Sequence, residues 1–302
     1  MIELVLFAAA ALRISVPYAL AAVGACFSER GGVVNIALEG MMLNGALAYV
    51  LGAWAWRDPW LGLACAMAAG ALTAWLHAEV TVRLRADQIT SGLGINLLAA
   101  GLTRFVLHAV FHSSSNSESV VGFARLPVPG LERLGTVGSV VGAPLVLLAV
   151  ALVATGQAAL FRTVFGLRLR TVGEHPEAAA SLGLSVLRHR YAGVAISGTL
   201  AGIAGAWLAS EQHSFTDGMT GGRGYIAIAA MIVGKWTPAG AAAACLLFGA
   251  AEALQIALQG SGFPSEILQM LPYVVTMLAL AGFIGRSTPP GALGKPFDPE
   301  RG

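Results

Sequence analysis

An all-α polytopic transmembrane helical bundle is the fold class this sequence predicts, and three observations carry the prediction. Of the 302 residues, 56% are hydrophobic and 11% charged, against about 25% charged in a soluble domain. Mean hydropathy is +0.73, so lipid must be the solvent for most of the surface. Apolar runs of the roughly 20 residues needed to cross hydrocarbon recur along the chain. The formal charge of +2 is too small to point to nucleic acid.

The runs lie at 2–26, 40–56, 60–82, 89–111, 138–160, 191–210, 239–258 and 266–284. The first follows Met1-Ile2-Glu3, which lacks the basic region of a cleavable signal, so it is expected to stay as a span. A shorter piece, Tyr225 to Gly234, sits between Arg223 and Lys235. It is half a normal span, as a discontinuous or re-entrant helix would be. Counting it gives about nine membrane segments. The membrane domain would cover 1–286, with a long loop at about 161–190 and a short irregular tail at 287–302. The tail's Pro289-Pro290 and Pro296 argue against a helix there.

Basic residues orient the spans. With the Phe161–Arg190 loop on the cytoplasmic side, twelve of the 18 Lys and Arg residues fall inside, and only Arg57, Arg125 and Arg133 outside. The N-terminus is then outside and the C-terminus cytoplasmic. The polar stretch His112–Val137 becomes the longest outer loop.

The most informative tract is Glu29-Arg30-Gly31-Gly32-Val33-Val34-Asn35-Ile36-Ala37-Leu38-Glu39-Gly40-Met41-Met42. It places charge and glycine between two apolar runs. Irregular backbone and charge at that position are tolerated only where protein or a watery cavity surrounds them. A chain that keeps such a break is expected to move something past it. In a helical reading, Asn35, Glu39 and Met42 share a face, with Asn44 nearby. Gln88 and Asn96 come from a second polar tract, and Asp217 and Arg223 from the C-terminal region. These line a candidate translocation pathway or gate. Asn35 and Glu39 are better suited to a structural or gating role than to solute contact.

Within the cytoplasmic loop, Gly173-Glu174-His175-Pro176-Glu177-Ala178-Ala179-Ala180-Ser181-Leu182-Gly183 reads as a short capped helix. Pro176 suits its first turn, Glu174 and Glu177 its positive end, and Gly183 its C-terminal cap. A docking element for a cytosolic partner and a solvated turn are both open readings.

Four tracts, in order, carry a family resemblance. Ser28 to Met42, Gln88-Ile89-Thr90-Ser91-Gly92-Leu93-Gly94-Ile95-Asn96-Leu97-Leu98, Thr171 to Gly183, and Gly222-Arg223-Gly224-Tyr225-Ile226-Ala227 with Gly234-Lys235-Trp236-Thr237-Pro238 resemble the signatures of bacterial ABC importer permeases. The superfamily is that of the ribose and branched-chain amino acid permeases, and the first tract is similar to its nucleoside-uptake branch. His175 stands where the family often shows Asn, and Gly94 where Ala is common.

The resemblance implies the shorter of two paired permeases in the bacterial inner membrane, a cytosolic ATPase subunit, and an external binding protein or lipoprotein. It implies a nucleoside as cargo, with a sugar such as a pentose as the alternative. It assigns coupling to the ATPase to Glu174, Pro176, Glu177, Ala178, Ala179 and Gly183. The chain would not be an enzyme and would need no cofactor, ATP being used by the partner. No phosphate-cradling G-x-x-x-x-G-K-[ST] loop occurs; Gly291-Ala292-Leu293-Gly294-Lys295 lacks the spacing.

Remaining polar and small residues have plainer readings. Arg13, Glu79, Arg104 and His108 lie near span ends, where snorkelling is usual. Glu252 is deeper and is expected to face a partner permease. Gly198, Gly202 and Gly205 form a small-residue face for close helix packing. Cys26, Cys65 and Cys245 have no metal-ligand spacing and read as buried hydrophobes. No catalytic triad is evident. An ion-coupled secondary transporter is the rival class, opposed by the scarcity of central acid pairs.

Overall fold

The computed structural model describes residues 2–126, 138, 140, 142–259, 264–278, 281 and 288–298. Among these there is no strand beyond one bridge, Asn116 to Thr216, which ties two loops together. The helices are α1 (Ile2–Arg30), α2 (Leu38–Trp56), α3 (Pro59–Ala78, continued by a π turn Glu79–Arg83), α4 (Gln88–Phe111), α5 (Pro144–Arg162), α6 (Val164–Glu174), α7 (Pro176–Ser181), α8 (Val186–Gln212), α9 (Arg223–Val233), α10 (Pro238–Ala257) and α11 (Ser265–Leu278).

Local chemistry sets many of the ends. Asp58 accepts from Trp60 N and Leu61 N ahead of Pro59 at the first turn of α3. Asp87 accepts from Thr90 N at 2.7 Å and starts α4. That backbone N–H, with the Thr90 hydroxyl, holds the Asp87 carboxyl below its ordinary range. Proline occupies the first turn of α5, α7 and α10, where its missing N–H has no partner to lose.

Among the described residues, six helices are long and apolar enough to cross a membrane: Leu4–Arg30, Pro59–Arg83, Gln88–Phe111, Pro144–Arg162, Val186–Gln212 and Pro238–Ala257. The nine crossings expected from the sequence are therefore not established. α2 has 19 residues but carries Glu39 and Asn44. α9 has 11 residues and α11 has 14 within the described range. Positions 139 and 141 of the 138–160 run, and most of the 266–284 run after Leu278, lie outside the described residues.

α1 also extends further than expected, through Glu29 and Arg30. Both charges find protein partners, so the helix need not end before them. Trp236 Nε1 donates to the Glu29 carboxylate at 2.6 Å, and Arg30 donates to the Trp236 and Lys235 carbonyls. The break narrows to residues 31–37.

α8 is the central helix, packed against α1, α2 and α3. Its glycine face makes this possible. A methyl placed on Gly198 would sit 2.3 Å from the Gly70 carbonyl oxygen. On Gly202 it would sit 2.2 Å from Ala66 O, and on Gly205 2.0 Å from Met42 O. Backbones meet here with no side chain between them, which is how helices associate when lipid removes the hydrophobic drive. Gly202→Ala should therefore destabilise the fold by roughly 1–3 kcal/mol. Gly94→Ala, on a face with nothing within 4 Å, should be neutral or stabilising by about 0.5–1 kcal/mol. Thermal unfolding of the two detergent-purified variants checks the contrast.

Candidate functional site

The site is the break between α1 and α2 together with the structures that clamp it. Gly32 adopts φ +88, where an L side chain is strained, and a methyl on it would sit 3.2 Å from Arg190 Nη2. Each side chain near the break then takes up a backbone group the broken helix leaves behind. Ser28 donates to Val33 O at 2.8 Å, and Gln88 Oε1 accepts from Val34 N at 2.7 Å. His77 Nε2 lies 3.0 Å from Val34 O, and its Nδ1 lies 3.0 Å from Ser91 Oγ. A carbonyl can only accept, so Nε2 is the donor. Asn96 donates to Ile36 O at 2.9 Å and to the Tyr225 hydroxyl at 3.0 Å, and its Oδ1 accepts from Gly40 N at 2.8 Å.

Glu39 makes the longest-range of these links. Its two carboxylate oxygens accept from Gly222 N at 2.8 Å and Gly224 N at 2.7 Å. These N–H groups form the start of α9, the positive end of its dipole, where a carboxylate is stabilising. The approach is close: a methyl on Gly224 would lie 2.5 Å from Glu39 N. Glu39 thus ties the start of α2 to the start of the short helix.

The expected pathway residues separate in the structure. Asn35 is not on a helix and shares no helical face with Glu39 and Met42, because the chain is irregular until Leu38. Asn35 is fully buried and donates to Ser197 Oγ at 2.9 Å. Met42 is buried in the core. Asn44 donates to Thr73 Oγ1, joining α2 to α3. Gln88 and Asn96 do converge on the backbone of the break, Asn35 lies within it, and Glu39 ties the start of α2 to α9. Two buried atoms of this network, Asn35 Oδ1 and Gln88 Nε2, have no partner.

Arg223 belongs to a second cluster. It donates to Glu252 at 3.2 Å and lies over the Tyr18 ring, while the Tyr18 hydroxyl also donates to Glu252. Glu252, expected to face a partner chain, is thus paired inside this one. A cavity of about 360 Å³ between α1, α8, α9 and α10 is lined by Arg13, Trp207, Glu211, Arg223 and Glu252 among apolar walls. Arg13 pairs there with Glu211, and Arg104 with Asp217 at 2.5 Å. Glu79 bonds Arg83 and Tyr191. Arg13, Glu79 and Arg104 thus each have a protein partner, while the Arg13 and Arg104 side chains stay 50% and 62% exposed. Asp217 is likewise held by Arg104 rather than beside Arg223.

The loop residues assigned to coupling also divide. Pro176 opens α7 and Gly183, at φ +80, follows its end, both as expected. Glu177 and Ala178 are exposed, whereas Pro176 and Ala179 are buried. Glu174 does not start this helix. It is the last residue of α6, accepts from Gly291 N at 2.9 Å and stands 3.8 Å from Arg30. His77, Tyr18 and Trp236 were missed by sequence reasoning. The one available signal was a polar or amphipathic side chain deep in an apolar run.

Leucine at position 39 would leave Gly222 N and Gly224 N without their acceptor, at a cost of roughly 1–3 kcal/mol. Glu39→Leu should lower the unfolding temperature of the purified chain more than Glu39→Gln, which keeps one acceptor. Equal stability of all three proteins would show the cap to be incidental.

The comparisons agree with this architecture. A family model described as "Branched-chain amino acid transport system / permease component" matches residues 7–280. The guanosine ABC transporter permease protein NupQ of Bacillus subtilis is 42% identical over 95% of this chain and 95% of its own length. The nucleoside ABC transporter permease protein NupC of Lactococcus lactis is 39% identical over 93% of this chain and 92% of its own. A putative glucose ABC transporter permease protein of Haloferax volcanii is 38% identical over 84% and 79%. No solved structure matches. An all-helical membrane chain with a clamped break, matched over nearly its whole length, belongs to the branched-chain amino acid transport system permease family.

Proposed function

We propose that this chain is one of two permease subunits of an ATP-driven importer that carries nucleosides across the inner membrane. The observation that supports it most is full-length similarity, near 40% identity, to two permeases named for guanosine and nucleosides. The relative named for glucose keeps a sugar as the second cargo. The cavity beside Arg223 and Glu252 has the volume of a small-molecule site, with a charged pair and an indole set in an apolar wall.

In this reading 1–286 is the permease domain and 287–302 its tail, crossing about nine times if α2, α9 and α11 also enter the membrane. The distribution of basic residues supports an outside N-terminus and a cytoplasmic C-terminus. α7 then faces the cytosol, presenting Glu177 and Ala178 to an ATPase subunit, while Pro176 and Ala179 seat the helix on the chain itself. A second, different permease completes the pathway, and an external binding protein delivers the solute. Ion coupling has less support, because Glu39, Glu211 and Glu252 already hold backbone N–H or guanidinium partners.

Uptake of radiolabelled guanosine by cells expressing the chain with its partner subunits tests the proposal. Uptake should require this chain, fall with ATP depletion and survive an uncoupler. Collapse with the uncoupler alone would move the chain to the ion-coupled class, and pentose uptake without guanosine uptake would change the cargo. Glu177→Arg, on the exposed face of α7, should abolish uptake while leaving membrane insertion intact.

A further inference from the structure

Residues 288–298 were expected to be an irregular tail; they are irregular, and they bond to the rest of the chain at several points. Ala292 N donates to Gly173 O at 2.9 Å, and Gly291 N to the Glu174 carboxylate at 2.9 Å, so the tail is bonded to the end of α6. Two residues later, Gly294 N donates to Gly32 O at 3.2 Å, inside the break itself. Lys295 O accepts from Arg190 Nη1 at 3.0 Å. Arg190 is 1% exposed, and its Nε and Nη2 have no partner. Among the described residues, the tail carbonyl is therefore the hydrogen-bond acceptor of this buried guanidinium near the start of the central helix α8. Asp298 pairs with Arg85 at 3.1 Å, reaching the connection between α3 and α4.

Phe297 gives the tail its apolar anchor. It is 6% exposed and forms a small cluster with Val172 of α6, Ala179 of α7 and Val186 of α8, separate from the main core. α7 has only six residues, too few to hold a position by its own hydrogen bonds. Its buried residues are Pro176 and Ala179, and Ala179 sits in this cluster. Phe297 thus shares a cluster with α7, and Gly294, three residues earlier, bonds to the break.

We propose that residues 291–298 are a coupling strap that makes α7 and the break at 31–37 move as one body. A push on the exposed face of α7 passes through Phe297 to the strap, and from Gly294 to the carbonyl of Gly32. Phe297 is the positioning residue for α7, and Arg190 ties the strap to α8. The inference deepens the importer reading and rests on it.

The test uses the complete transporter, with partner permease, ATPase and binding protein, in proteoliposomes. ATP-dependent guanosine uptake by the wild-type complex reports on the importer reading. Uptake per ATP hydrolysed, compared between variants, reports on the strap. A chain ending at Pro290 and the Phe297→Ala variant should keep ATP hydrolysis and lose about tenfold in uptake per ATP, within the usual range of coupling between sites. A synthetic peptide of residues 288–302 should restore the truncated chain. Hydrogen exchange supplies a readout that a merely structural tail would not move. Docking of the ATPase should change exchange across 31–37 in the wild type and not in Phe297→Ala, which keeps every backbone bond of the strap. Wild-type uptake per ATP in Phe297→Ala, or an unaltered exchange response at 31–37 in that variant, would overturn the proposal even if the truncated chain failed to assemble.

Discussion

Every backbone N–H and C=O that a broken helix leaves buried away from water must find a protein partner. The structure around residues 31–37 follows from that constraint. Val34 alone engages two different segments, its N–H meeting Gln88 and its carbonyl meeting His77. Ile36 and Gly40 are both served by Asn96, one through its amide nitrogen and the other through its oxygen. Asparagine suits this place because one short side chain offers a donor and an acceptor. Glu39 answers the same constraint for α9, whose first N–H groups would otherwise be orphans.

That clamp needs α3, α4, α8 and α9 close to the break, and the small residues of α8 supply the closeness. Gly205 meets the Met42 backbone one turn from Glu39, and Gly198 meets Gly70 on α3, two turns from His77. A larger residue on either face would push α2 or α3 outward and draw His77 or Glu39 off its partner. Ser197, the residue before Gly198, holds Asn35. Close packing and polar satisfaction are therefore one arrangement, since a hydrogen bond at 2.9 Å tolerates little helix displacement.

The sequence made the class legible because hydropathy and small-residue periodicity are local signals. Pro59, Pro176 and Pro238 mark helix starts, and Gly183 marks a helix end, by fixed backbone chemistry. The polar tract was rightly singled out, but its internal geometry was misread. Helical spacing put Asn35 on a face with Glu39, whereas the irregular backbone at 31–37 turns Asn35 toward Ser197, 162 positions along the chain. Partners that far apart leave no periodic trace. The same holds for Glu174 with Gly291, Arg104 with Asp217 and Tyr18 with Glu252. Proline correctly argued against a helix in the tail. It said nothing of docking, which depends on backbone N–H groups and a single phenylalanine.

A clamp this complete must still allow movement if the chain is to pass a solute. The two unpaired atoms bear on how. Asn35 Oδ1 is a spare acceptor and Gln88 Nε2 a spare donor, both buried beside the break. Leaving each unpaired costs about 1–3 kcal/mol in this arrangement. A saturated network could only lose bonds when the backbone shifted, which would make the clamped state a deep trap. A network with one unused donor and one unused acceptor can exchange partners and keep its total. Spare groups of this kind would give a shifted arrangement of the break new partners to take up, as a bistable element requires. Glu39 keeps α9 attached through such a shift, because two charge-assisted bonds to adjacent N–H groups move with the carboxylate as a unit. The break is held by its neighbours and biased by what they leave unpaired, so its position answers to small displacements of α1 and α8.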